Sequence, residues 1–201
     1  LSNEEIYKTI QENEIGCPEC GGQLTEVYEF NLMFKTTIGP GNKMTGYMRP
    51  ETAQGMFINF PRLLRYFRDS LPFAAVQIGK SYRNEISPRQ GVIRLREFTQ
   101  AEAEIFIDPR DKTHPRFAEI KDIRMKFYSQ AAQELGVEEE MSFGEAVERG
   151  IVAHQTLAYY VARTYQFLLA IGVAPDKLRF RQHKADEMAH YAADCWDAEV
   201  F

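Results

Sequence analysis

Nowhere does the sequence hold an apolar run approaching the roughly 18–20 residues needed to span a bilayer. The start, Leu1-Ser2-Asn3-Glu4-Glu5, has no basic segment leading into an apolar stretch, so no secretory leader is read there. Cysteine is scarce. Three in 201 residues is an odd count that argues against a disulfide framework and for reduced thiols, so a soluble, cytoplasmic protein is expected. An excess of positive charge is also missing: 24 Lys+Arg stand against 29 Asp+Glu, a net charge of −5, which excludes a histone-like binder of polyanions. There is no internal repeat, no low-complexity tract and no Ser/His/Asp constellation. The first residue is not Met and the chain stops at Trp196-Asp197-Ala198-Glu199-Val200-Phe201 without a polar tail, which reads as a piece of something longer.

What is present is an ordinary globular composition, 44 % hydrophobic and 12 % aromatic, at a length suited to one domain with an insertion. Ser2 and Glu5 make a capping box for a first helix, with Ile6 and Ile10 on one face and Gly16 as its stop. Cys17-Pro18-Glu19-Cys20-Gly21-Gly22 reads as a tight turn holding two thiols side by side, and 23–34 as extended chain before the loop Gly39-Pro40-Gly41-Asn42. Helical spacing over 52–70 is expected to break or restart at Pro61. Residues 74–85 and 92–107 read as two long strands joined by the loop 86–91. Beyond, Ile120, Ile123, Phe127, Ala131 and Leu135 predict a helix stopped by Gly136, and Ser142 with Glu145 a second capping box. Leu157, Val161, Thr164, Leu168 and Ile171 predict a long helix ended by Gly172, with Leu178-Arg179-Phe180-Arg181 a short strand and 186–196 helical. The expected fold class is α+β: 1–108 an antiparallel-sheet core, 109–176 a helical insertion, and 177–201 a return to the core.

The hairpin carries the chemistry. Side chains on a strand alternate between faces, so Gly79, Ser81, Arg83 and Glu85 share one, as do Arg94, Arg96, Phe98, Gln100, Glu102 and Glu104. Ile93, Leu95, Ala101, Ala103 and Ile105 fill the other. A solvated outer face would also look polar. Here, however, residues 83–96 hold four arginines, Arg83, Arg89, Arg94 and Arg96, against the single carboxylate of Glu85. Guanidinium forks grip phosphate oxygens bidentately and keep their charge, Phe98 offers a ring to a base, and a carboxylate among arginines can hold Mg²⁺ or accept from an amine. These are parts of a nucleotide site.

The blocks Ser81-Tyr82-Arg83-Asn84-Glu85, Pro88-Arg89-Gln90-Gly91 and Arg94-Leu95-Arg96-Glu97-Phe98-Thr99-Gln100-Ala101-Glu102 resemble motif 2 of the class II aminoacyl-tRNA synthetases. Joined by Phe30-Asn31-Leu32-Met33-Phe34, Tyr47-Met48-Arg49-Pro50-Glu51-Thr52-Ala53-Gln54-Gly55, Met188-Ala189-His190-Tyr191-Ala192 and Cys195-Trp196-Asp197, they resemble the glycyl-tRNA synthetases of the archaeal and eukaryotic type. The resemblance implies an antiparallel sheet flanked by helices, and activation of glycine by ATP with Mg²⁺ before transfer to tRNA(Gly). Arg83 is then the catalytic residue, on the α-phosphate. Arg83, Asn84, Glu85, Ile93, Arg94, Leu95, Arg96, Glu97 and Phe98 line the ATP site, with adenine stacked on Phe98 and Glu85 at the adenine end. Glu51, Phe98, Gln100 and Glu102 receive glycine, the carboxylates taking its ammonium. The full-length enzyme is expected to be a homodimer. Motif 3 and the anticodon-binding domain would follow Phe201, so a partial catalytic domain is expected.

Cys17 and Cys20 are two ligands of a candidate Zn²⁺ knuckle where a tetrahedral site needs four; a reduced structural turn is the other reading. His114, His154, His183 and His190 read as surface or packing residues, Glu138-Glu139-Glu140 as a solvated run, and Tyr159, Tyr160, Tyr165 and Phe167 as core. Two other functions stay open: another class II-like adenylate former, such as a biotin ligase or an asparagine synthetase relative, and a non-catalytic module that binds RNA or a partner through the basic face.

Overall fold

The computed structural model describes residues 1–41, 44–88 and 91–201, and these separate into two compact units, Leu1–Phe106 and Ile107–Phe201. In the first, α1 (Asn3–Glu12) opens on the expected capping box: Ser2 Oγ accepts from the Glu5 N–H at 3.2 Å while Glu5 Oε2 accepts from the Ser2 N–H at 2.7 Å. The helix ends at Asn13, ahead of Gly16. Gly16 instead pairs with Gln23 to close the cysteine turn, where a Cβ on it would sit 3.0 Å from the Gly21 carbonyl oxygen. Residues 24–34 form no strand; pairing begins with β1 (Lys35–Ile38), antiparallel to β2 (Met44–Tyr47). Asn42 of the expected loop lies outside the described residues.

Two helices follow, α2 (Ala53–Ile58) and α3 (Phe60–Tyr66), and Pro61 starts the second from its first turn, where its missing N–H costs no hydrogen bond. The long hairpin is β3 (Phe73–Tyr82) against β4 (Glu97–Phe106), in register from Phe73↔Phe106 to Tyr82↔Glu97. Residues 92–96, expected as strand, are not: the Arg96 guanidinium takes the Glu85 carbonyl at 3.0 and 3.1 Å, and the Asn84 N–H donates to the Leu32 carbonyl at 2.7 Å. The Arg83 N–H still donates to the Arg96 carbonyl at 3.0 Å, but beyond it the Glu85 carbonyl is taken by the Arg96 side chain and the Glu85 N–H turns back to the Arg83 carbonyl at 2.9 Å, so the ladder stops and alternation does not assign faces to Arg94 and Arg96. At the open end Phe73 and Phe106 meet at 4.8 Å, tilted, beneath Phe60 and Phe67, which fixes α3 over the face that carries Phe98, Gln100 and Glu102. The apolar face is the open one: Val76 is 65 % and Ile78 71 % exposed.

The second unit is built on the sheet order β6-β5-β7-β8, formed by β5 (Arg124–Tyr128), β6 (Glu139–Ser142), β7 (Leu178–Gln182) and β8 (Trp196–Val200); only β5 and β7 run parallel. Its helices are α4 (Gln130–Leu135), α5 (Phe143–Glu148) and α6 (Gln155–Ala170). Residues 109–176 are therefore not helical throughout, and 177–201 complete the same sheet. The expected helix through Ile120, Ile123 and Phe127 does not form: Ile120 and Ile123 lie in turns before β5, Phe127 sits in β5 paired with Glu139 and Phe180, and only α4, capped by left-handed Gly136, is helical. The expected helix at 186–196 is a run of turns that ends in β8. Ser142 and Glu145 do form a capping box, and α6 stops just before Gly172. The buried stripe of α6 is Thr156, Ala158, Tyr159, Val161, Ala162 and Tyr165; of the predicted stripe Val161 is buried and Leu157 and Leu168 pack partly buried against the core, while Thr164 and Ile171 are exposed. Tyr160 and Phe167 are exposed as well. Among the described residues no helix is long and apolar enough to cross a membrane.

Candidate functional site

The register of β3 on β4 puts Gln77, Gly79 and Ser81 opposite Glu102, Gln100 and Phe98, giving one continuous polar face. At the loop end of the hairpin this face runs into a cavity of about 320 Å³ lined by Arg83, Glu85, Val92, Ile93, Arg94, Leu95 and Phe98. Six of those seven are residues singled out for ATP. The Arg83 guanidinium lies over the Phe98 ring at 5.6 Å, and its Nε donates to the Pro50 carbonyl at 3.4 Å. Arg94 pairs with Glu85 at 3.2 Å. The remaining ATP candidates point elsewhere. Asn84 donates to the Asn31 carbonyl at 3.1 Å, Arg96 grips the Glu85 main chain, and Glu97 pairs with Lys80 at 3.0 Å. Arg96 and Glu97 line a separate hollow with Phe34, Lys35 and Thr36. Arg89 lies outside the described residues.

Away from the loop, four residues or about 13 Å along β4 from Phe98, the face becomes acidic. One Glu102 oxygen accepts from the Thr52 N–H at 2.6 Å, the Ala53 N–H at 2.8 Å and the Thr52 hydroxyl. Thr52 is the N-cap of α2 and makes no side-chain cap of its own, so Glu102 caps that helix from a neighbouring strand, favourably placed at its positive end. Gln100 Oε1 accepts from the fully buried Ser81 hydroxyl at 3.1 Å. Glu51 lies half-buried nearby. Burial, then the charges of Glu102 and Glu51, push the Glu104 carboxyl above its ordinary value. The structure thus gathers Glu51, Glu102 and Glu104 as a carboxylate group, with Arg83 joined to the residue preceding Glu51.

Alternation along β3 could have found Gln77 and Ser81; nothing local marks Arg49 and Thr52. In the orientation that satisfies both ends of its amide, Gln77 donates to the Thr52 carbonyl at 3.1 Å and accepts from Arg49 Nη1 at 2.9 Å. Arg49 Nε donates to the Lys80 carbonyl at 2.7 Å and its head group lies directly on Gly79, where any Cβ would collide with Nη2. A glycine there lets the guanidinium lie flat on the floor of the face.

The two thiols of the cysteine turn meet as expected. The N–H groups of Glu19 and Cys20, then the Cys20 thiol, hold the Cys17 thiol below its ordinary value. Among the described residues no third His, Cys, Asp or Glu joins them, so the donors present are half of what a closed zinc site requires. In the second unit, His114 stacks on Tyr159 at 3.7 Å and His154 caps α6. His183 pairs with Asp197 at 2.7 Å, and His190 meets the Tyr191 ring edge-on. Burial, then Asp197 and Asp194, push the Cys195 thiol up.

A family model described as the tRNA synthetase class II core domain (G, H, P, S and T) matches residues 34–193. The chain belongs to this family. Curated relatives named glycine–tRNA ligase align along it: that of Methanothrix thermoacetophila is 78 % identical over 200 residues, covering 100 % of this chain and 35 % of the relative. Those of Methanocaldococcus jannaschii, 59 % identical over 98 % of the chain, and Methanothermobacter thermautotrophicus, 57 % identical over 100 %, are matched over 35 % and 36 % of their lengths. The chain therefore spans about a third of the curated relatives it matches. Its elements are mixed α and β, and the β3–β4 hairpin is antiparallel.

Proposed function

We propose that this chain is part of the catalytic domain of a glycine–tRNA ligase and that the polar face of the β3–β4 hairpin binds ATP and glycine for adenylate formation. The observation that carries the reading is the continuity of that face: a cavity with Arg83, Glu85, Arg94 and Phe98 at one end, and Glu51, Gln100 and Glu102 at the other. In the reaction a glycine carboxylate oxygen forms a bond to the α-phosphorus of ATP and the bond to pyrophosphate breaks. The adenylate then passes glycine to the 3′ end of tRNA(Gly). Arg83, in the cavity and bonded to the carbonyl of Pro50 next to Glu51, holds the α-phosphate and offsets the charge that grows on it; no side-chain nucleophile is required, because placement and charge stabilisation supply the acceleration. Phe98 takes adenine on its ring.

Glu51 and Glu102 hold the ammonium of glycine, with Gln100 beside them. Glycine offers almost no apolar surface, so its recognition rests on these charges and on walls that exclude a Cβ, the easier direction for steric discrimination. Glu85 is the one carboxylate lining the cavity, and one of its oxygens is engaged by Arg94. In this reading its other oxygen accepts from the adenine amine, while Mg²⁺, which favours oxygen ligands, would be held by the triphosphate, whose charge it neutralises. Homodimerisation of the longer enzyme and a cytoplasmic setting belong to the same reading, and the two-thiol turn enters no step of it.

The test is equilibrium binding of ATP and of tRNA. The ligase reading expects ATP binding to weaken tenfold or more, about 1.4 kcal/mol, in Arg83→Ala and in Phe98→Ala. RNA binding that falls steeply with salt, with no ATP binding at all, favours the non-catalytic module instead.

A further inference from the structure

One group of chemically capable side chains has no part in that reading: His183, Cys195 and Asp197, at the end of the second unit's sheet. The register pairs Gln182 with Trp196 and Arg181 with Asp197, and one step further the His183 N–H donates to the Cys195 carbonyl at 2.9 Å. His183 and Cys195 are therefore directly opposed across the ladder. Asp197, two residues after Cys195, projects from the same face and lies diagonal to His183. One imidazole nitrogen, one sulfur and one carboxylate oxygen come to lie within 4.8 Å of one another.

We propose that His183, Cys195 and Asp197 bind a borderline-soft divalent transition-metal cation, with Zn²⁺ the best fit, at the mouth of the 184–194 loop. The donor set selects the ion. Thiolate together with imidazole suits zinc and its neighbours, whereas Mg²⁺ and Ca²⁺ take oxygen almost exclusively. Around zinc, ligand atoms at about 2.0–2.3 Å from the metal stand roughly 3.3–3.7 Å apart. His183 Nε2 and Asp197 Oδ2, now 2.7 Å apart, would open slightly, and the sulfur would close by up to about an ångström, a change within reach of side-chain rotation.

Asp194 is held outside the ligand set, since one oxygen accepts from the Ala153 N–H at 3.1 Å and the other from Gln182 Nε2 at 2.9 Å. It fixes the end of the loop next to Cys195, as a supporting residue of a metal site does. Three protein ligands leave a fourth position to water, and Asp197 is itself exposed to solvent. A plain His183–Asp197 ion pair accounts for two of these side chains but gives no reason for the third.

The experiment uses the chain carrying Cys17→Ser and Cys20→Ser, in which Cys195 is the only thiol. Zn²⁺ is expected to bind one to one in calorimetry, and Co²⁺ to produce a thiolate-to-cobalt charge-transfer band in the near ultraviolet. Cys195→Ser should abolish the band, and His183→Ala or Asp197→Asn weaken binding about tenfold or more. Alkylation of Cys195 by iodoacetamide, with and without Zn²⁺, reads the site with the cluster intact and so survives misfolding of any cluster variant. It should slow about tenfold when zinc is bound. No cobalt band and equal alkylation rates would overturn the proposal and leave an ordinary ion pair.

Discussion

The two units bury opposite kinds of residue. In Ile107–Phe201 the interior is apolar and closed: Phe127, Phe143, Ile120 and Val152 are fully buried between the sheet and α5 and α6. In Leu1–Phe106 the buried residues, among those described, are Met56 and Phe73 with the polar Thr52 and Ser81, while Val76 and Ile78 stay exposed. The first unit spends its burial on holding Glu102, Gln100 and Gln77 in place; the second spends it on packing. One is arranged as a site with little core of its own, the other as a broad apolar core in which Ser129 and Thr156 are the buried polar residues among those described. Variants in the two should therefore fail in different ways.

The largest expected effect is in the packed unit. Phe127→Ala or Phe143→Ala should cost about 3–5 kcal/mol by leaving a cavity that the sheet cannot close, read by denaturant unfolding. Equal losses from truncating Val76 would erase the contrast. Next is Arg83→Ala, expected to lower affinity for an adenylate analogue by more than tenfold with no measurable change in unfolding, since Arg83 is exposed. Glu102→Gln keeps the shape but removes the charge that caps α2, and about 1–2 kcal/mol of stability should go with it.

Smaller, and diagnostic in sign, is Glu104. Burial and its two acidic neighbours raise its pKa in the folded state, so its contribution to stability is fully present below the unfolded value, about 4.3, and is lost as pH rises through the folded value. Glu104→Gln should thus stabilise the chain at neutral pH and change nothing near pH 3 (~1 unit below that value), measured by melting at both. The smallest effect is Ile78→Ser, expected to stay within about 0.5 kcal/mol because the side chain is already 71 % exposed.

Local chemistry was legible in advance. Both capping boxes, the restart at Pro61 and the stops at Gly136 and Gly172 follow from short-range rules, and so does the shared face of Ser81, Phe98, Gln100 and Glu102. What escaped was set over distance. The strand ends at Tyr82 because Arg96 reaches back to the Glu85 carbonyl, a choice made by a side chain and invisible to alternation. Ile120, Ile123 and Phe127 carry helical spacing by coincidence: Phe127 pairs with β6 and β7, and Ile120 and Ile123 reach the same core from the turns before it. At the site, Arg49 is placed by the missing Cβ of Gly79, thirty residues on, and Glu102 caps a helix that begins with Ala53. Neither partner can be read from its own neighbourhood.

The most direct measurement is calorimetric binding of a non-hydrolysable glycyl-adenylate analogue, with the alanyl analogue as control and Glu51→Ala and Arg83→Ala alongside. Glycyl-selective binding that is lost in both variants is the predicted result. Binding that ignores the amino-acid side chain, or that survives both substitutions, would contradict the claim that one face of the hairpin holds the two substrates.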